Sequence, residues 1–157
     1  VLDAVKVRVV AVGKDRSGLF APAVDEYAKR LSRYAKFELV EVSEAKRHAG
    51  TPRAKEEEGE TLLAKIGAGE RVVLLDERGD EPTSVALAQR LAKWLQRGQD
   101  LVFVIGGSDG HSDAIRARAQ ETLSLSRMTM AHRLARVVLL EQLYRAFTIL
   151  KGEPYHK

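Results

Sequence analysis

Three glycines fall within five positions in the run VFVIGGSDG, residues 102–110, directly after an apolar stretch. A chain bare of side chains there either turns tightly or lets backbone amides and carbonyls approach a ligand. A dinucleotide site would need G-x-G-x-x-G after the first strand and an acidic residue about 20 positions on. Here the glycine pair follows the fourth strand-like segment, the first segment ends in VGKDRSG, and no G-x-x-x-x-G-K-[ST] occurs. Pattern and place are both wrong for a dinucleotide. Asp109, His111 and Asp113 beside the turn raise the question of a metal. Alternate positions in a turn match ligand spacings poorly, and Asp113 has a simpler use in the first turn of a helix that Ser112 can cap. No metal is expected, and His48 and His111 read as solvent-facing.

These residues need elements to place them. VKVRVVAVG (5–13), FELVEV (37–42), RVVLLD (71–76), LVFVI (101–105) and ETLSLS (121–126) read as strands, several of them apolar enough to be covered on both faces. Between them lie helical patterns. Leu19, Phe20, Val24, Tyr27, Leu31 and Tyr34 share one side of a helix, and SEAKRHAG is a loop. Thr51 and Pro52 start a second helix running to about Ile66, with Thr51 as cap, Arg53 and Glu57 paired at i,i+4 and EEEGE as a solvated face. EPTS opens a third, with Leu87, Leu91, Trp94 and Leu95 inward and Gly98 closing it; the last helix spans about His132 to Lys151, stopped by Gly152 and Pro154. The alternation predicts one α/β domain with a largely parallel sheet, whose ligands bind at the carboxyl ends of strands. Three such ends are chemically unusual: Leu75 with Asp76, Gly106 with Gly107, and the loop LSRMTM from Leu125 to Met130.

The last helix carries two apolar stripes, Val137–Leu140–Tyr144–Phe147 and Leu139–Leu143–Ala146–Leu150. Covering a sheet needs only one, so the other suggests a second copy of the chain. Arg136 lies between the stripes and needs a carboxylate, a phosphate or a ligand carbonyl; an internal ion pair would serve equally.

At 157 residues the chain suits one domain, 1–157, and its absence of cysteine excludes disulfides, thiolate catalysis and iron–sulfur clusters. No apolar stretch approaches the length of a membrane span, and no export pattern is visible, so the cytoplasm is expected. Residues 111–157 hold 8 Lys/Arg against 4 Asp/Glu, and so carry the whole net charge of +4, a modest attraction for a polyanion such as RNA.

GGSDG, the run LSLSRMTMAHRLARVVLLEQLYRAFTILKGEPYHK, and VVAVGK, FELVEV and LLDERG together resemble the RlmH family of SPOUT methyltransferases over essentially the full chain. Ser108 and Asp109 stand where many relatives have Pro and Glu, the glycines being kept, and residues 1–4 have no clear family counterpart. The resemblance implies an α/β knot whose C-terminal segment threads through a loop, in cytoplasmic homodimers. It implies transfer of a methyl group from S-adenosyl-L-methionine to N3 of a pseudouridine in 23S ribosomal RNA of the assembled 70S ribosome. Carried over by position, it places the cofactor at Leu75, at Gly106 with its neighbour Gly107, and along Leu125, Ser126, Arg127, Met128, Thr129 and Met130.

Methyl transfer at an imide nitrogen requires alignment, exclusion of water and removal of a proton. His132, Arg136, Tyr155 and His156 are the candidates for that last task, and the YHK tail is expected to cross to the partner's pocket. Two alternatives stand beside this reading: a non-catalytic ribosome- or RNA-binding factor, and a nucleotide-binding α/β enzyme of another class.

Overall fold

The computed structural model describes residues 5–157, the side chain of Lys46 excepted; residues 1–4, without counterpart in the resemblance, lie outside the described residues. Five strands form one sheet: β1 (Lys6–Val12), β2 (Lys36–Val42), β3 (Arg71–Asp80), β4 (Leu101–Ile105) and β5 (Glu121–Leu123). Their spatial order is β2-β1-β4-β3-β5 and every pairing is parallel. Parallel neighbours need crossovers. These are built by α1 (Ala21–Leu31), α2 (Pro52–Ala64), α3 (Ser84–Gln96) and α4 (Asp113–Arg118), and α5 (His132–Leu150) follows the last strand.

Alternation along the strands sorts the core into two halves. Val7, Val9 and Ala11 of β1 and Phe103 of β4 face α1, α3 and α5; Val10, Val12, Val102 and Val104 face α2 and α4. All five residues of β4 are buried, because it lies between β1 and β3 with helices over both faces. Trp94 is core, its ring 6.0 Å from that of Phe103 at 65°. Thr83 Oγ1 caps α3 by accepting from Ala86 N–H, Gly98 closes it, and Ser112 caps α4 by accepting from Ile115 N–H.

Several expectations are corrected. Leu19 is 73% exposed and precedes α1, which Pro22 opens only after Ala21. α2 stops at Ala64, short of Ile66, and Thr51 does not cap it: the hydroxyl donates instead to the His48 carbonyl at 2.6 Å. Within EEEGE, Glu58 is buried rather than solvated. The strand expected over 121–126 ends at Leu123; Ser124 turns the chain, its N–H donating to Asp80 O and its hydroxyl to Ser126 O.

The largest correction concerns α5. It lies between α1 and α3, and most of both stripes is buried inside one chain: Leu140, Tyr144 and Phe147 of the first and Leu139, Leu143 and Ala146 of the second, with Val137 half-buried and Leu150 38% exposed. Most of the second stripe is thus covered within the chain, and only its end at Leu150 stays open.

Candidate functional site

All five strands run the same way, so their carboxyl ends share one edge of the sheet, and a cleft of about 680 Å³ opens there. Leu75, Gly106, Gly107, Leu125, Ser126, Met128, Thr129 and Met130 wall it, and His132 closes one end. Arg127 belongs to the same loop, but its side chain is exposed and does not line the cleft. Arg136, Tyr155 and His156 do not line it either.

The floor is set by His111, which is buried instead of solvent-facing. Its Nε2 lies 2.7 Å from the Leu75 carbonyl. A carbonyl only accepts, so Nε2 carries the proton and Nδ1 holds a lone pair, buried without a partner. Burial, and then the Arg116 guanidinium, outweigh the Leu75 bond and hold this imidazole below its usual range, so it is neutral at pH 7. Gly106 makes room for the ring: a Cβ there would sit 2.7 Å from His111 Cε1. The glycine thus serves an internal contact as well as the cleft.

Asp76 stands at the rim, nearly buried. Burial works to raise its pKa, yet the Arg78 N–H and Arg116 guanidinium prevail and hold it below the ordinary carboxylate value. Arg78 N–H donates to Oδ1 at 3.0 Å and Arg116 Nη1 lies 2.6 Å from Oδ2. Across the mouth, Thr129 Oγ1 donates to Glu77 Oε2 at 2.6 Å, tying the loop after β5 to the end of β3. Met128 N–H donates to Ser126 Oγ. The cleft therefore combines apolar walls (Leu75, Ile105, Leu125, Met130) with a rim of paired charges, Asp76 and Glu77 beside Arg78 and Arg116. Its size and apolar walls suit a small molecule with an apolar body.

The first turn of α5 is fastened to the end of β1. Arg136 is 2% exposed; it donates to Glu41 Oε2 at 2.6 Å, to Val12 O at 2.9 Å and to Gly13 O. Its charge is met by a carboxylate and main-chain carbonyls, the internal ion pair of the two alternatives. Arg133 Nη2 pairs with Glu44 at 3.1 Å, and its Nη1 lies 3.3 Å from His132 Nε2. A guanidinium only donates, so that nitrogen is engaged as an acceptor, while His132 Nδ1 is buried and unpartnered. Burial, with Arg133 and Arg136 beside it, lowers the His132 pKa.

The tail lies elsewhere. Tyr155 meets Tyr144 edge-on at 4.7 Å and donates to Glu141 Oε2 at 3.1 Å; Arg145 stacks on Tyr155 and lies 3.1 Å from His156 Nδ1. Burial and the neighbouring Tyr27 and Glu141 push the Tyr155 phenol well above its usual pKa. These contacts sit about 20 Å along α5 from His132, at 1.5 Å per residue.

Sequence reasoning missed His111, Arg116 and the Glu77–Thr129 tie. Asp76, ending an apolar run, was visible; its partner 40 residues on was not. The basic character of the C-terminal third is also altered: Arg116, Arg133, Arg136 and Arg145 are each bound to a carboxylate of the same chain. Among the described residues no group of three His, Asp or Glu converges on a metal position, and no helix is long and apolar enough to cross a membrane.

Residues 5–156 match the family described as "Predicted SPOUT methyltransferase". The chain is 70% identical over 152 residues to a protein of Anaeromyxobacter dehalogenans (strain 2CP-C) named ribosomal RNA large subunit methyltransferase H, covering 97% of this chain and 99% of that one. Proteins of the same name from Geotalea daltonii and Hahella chejuensis are 48% and 41% identical, covering 96% and 97% of this chain and 99% of each relative.

Proposed function

Because the chain belongs to the SPOUT methyltransferase family, we propose that it methylates 23S ribosomal RNA at N3 of a pseudouridine in the assembled ribosome, using S-adenosyl-L-methionine. In this reading it acts as a cytoplasmic homodimer with the family's knotted C-terminal path. The observation that carries the proposal is the cleft itself, where Leu75, Gly106 and the loop Leu125–Met130 meet at the carboxyl edge of the sheet. Its volume and apolar walls fit a small donor that carries a flat base.

When bound there, S-adenosyl-L-methionine supplies an electrophilic methyl group. The chain's task is placement. Leu75, Leu125 and Met130 enclose an apolar body and exclude water. His111 holds the end of β3 against the glycine turn. Arg136 acts as a positioning residue, holding the first turn of α5 and with it the loop that precedes it. His132 borders the cleft, but its engaged Nε2 and buried Nδ1 make it a wall rather than a ready base. Tyr155 and His156, far along α5 from their own cleft, complete the partner's. There His156 takes up the N3 proton or stabilises the anion its departure leaves, and Tyr155, whose phenol is held protonated, anchors the tail.

Calorimetric titration with S-adenosyl-L-methionine tests the first half: one site per chain is expected, and no uptake would favour an RNA-binding factor. Mass spectrometry of 23S RNA from cells lacking the protein tests the second, with loss of one methyl group on a pseudouridine expected. An unchanged modification pattern would overturn the assignment of substrate.

A further inference from the structure

Glu58 is a buried carboxyl that the chemistry above leaves unused. It sits in the middle of α2 among the solvated acids Glu56, Glu57 and Glu60, yet is only 4% exposed. Its Oε2 accepts the Ala45 N–H at 3.0 Å, and its Oε1 is buried without a partner. The carboxyl lies directly behind the glycine turn: a Cβ on Gly107 would come within 3.2 Å of Oε1, 3.5 Å of Oε2 and 3.0 Å of Val12 Cγ1. One residue before Ala45, Glu44 pairs with Arg133 at 3.1 Å and approaches His132 Nε2 at 3.9 Å. Glu58, Ala45 and Glu44 thus lie between Gly107, on one wall of the cleft, and Arg133 and His132 on the other, bonded at Ala45 and Arg133 and packed close behind Gly107 with no room for a side chain between.

We propose that Glu58 is a positioning residue for the methyl donor: from behind the sheet edge it fixes the glycine turn and, through Ala45 and Glu44, the opposite wall at one separation. A buried polar atom without a partner calls for an explanation, and fixing one arrangement among alternatives is one use such groups have. The acids facing it are Glu44 from the loop after β2 and Asp109 from the glycine turn; with burial foremost, they raise its pKa against the Ala45 N–H, which lowers it. The role asks for an oxygen that accepts the Ala45 N–H at this length, and glutamine supplies one.

The inference rests on the proposed donor site, and the test separates the two. Full-length wild type, Glu58→Gln and Glu58→Met are titrated calorimetrically with S-adenosyl-L-methionine, and the ligand-free proteins are melted in parallel. Methionine keeps the unbranched length but removes the acceptor for Ala45. Glu58→Met is expected to bind the donor at least tenfold more weakly with a melting temperature at or above wild type, and Glu58→Gln to stay within threefold of wild-type affinity. Wild-type binding with equal affinity in Glu58→Met would overturn the inference alone, as would an equal loss in both variants. No binding by wild type would remove the donor site itself. Should Glu58→Met fail to fold, Glu58→Asp replaces it: one methylene shorter, it cannot reach both Ala45 and Gly107, and wild-type affinity in that variant would be equally decisive against the proposal.

Discussion

Replacing Arg136 by methionine tests whether this arginine is a strut or a reagent. The guanidinium is 2% exposed and holds three groups at once: Glu41 and the carbonyls of Val12 and Gly13. Removing one partner of a buried, hydrogen-bonded pair destabilises by about 3–5 kcal/mol. Glu41 is 35% exposed and can rehydrate, which pulls the figure to the low end; the two carbonyls at the end of β1 can do so far less. About 3 kcal/mol is therefore expected, or a melting temperature lowered by roughly 6–12 °C at this chain length. Arg136→Lys keeps a charge but has no planar fork and should recover about half of the loss. The assay is thermal melting of the ligand-free protein, backed by urea unfolding. An arginine held for substrate alone would leave the melt untouched, so a shift below 2 °C, or any gain in stability, would refute the reasoning.

His111 resists, when folded, a proton that the unfolded chain accepts below about pH 6.5, so stability is full above that value and falls as pH drops beneath it. The slope is at most about 1.4 kcal/mol per pH unit for each such histidine. His132 is lowered as well, so His111→Gln should flatten the fall between pH 6.5 and 5 only in part; urea midpoints that keep the wild-type pH dependence would contradict this. Gly106→Ala drives a methyl group into the His111 ring and should weaken donor binding more than tenfold. His111→Ala in the same chain should recover much of it, and additive effects would show that the two do not share space. Deleting residues 154–157 should abolish ribosome methylation while donor affinity stays within about threefold, and full activity of the truncated protein would exclude the tail from the reaction. His156→Ala separates the chemistry from the stability that Tyr155 lends through Tyr144.

Elements were legible where their own residues decide them. LVFVI is apolar throughout because β4 is covered on both faces, and α3 shows its inner stripe, its Thr83 cap and its Gly98 stop within one short stretch. The break in β3 after Leu75 and the end of β4 stood out because an acid and two glycines interrupt apolar runs, although β3, expected to stop at Asp76, continues past the irregularity to Asp80. What stayed hidden depends on distant partners. Arg136 meets Glu41 from 95 residues away and His111 meets Leu75 from 36. Glu58 is masked by three charged neighbours that do face water. The second stripe of α5 announces only that something covers it, and the cover is α3 of the same chain.

The loop between β5 and α5 is held at both roots and twice along its length: Ser124 to Asp80, Met128 to Ser126, Thr129 to Glu77, and Arg136 to the end of β1. A segment already immobile gives up little freedom when a guest arrives, so the favourable contacts of association are not offset by ordering. Loosening any tether should then appear calorimetrically as a less favourable binding entropy, with the heat of association nearly unchanged.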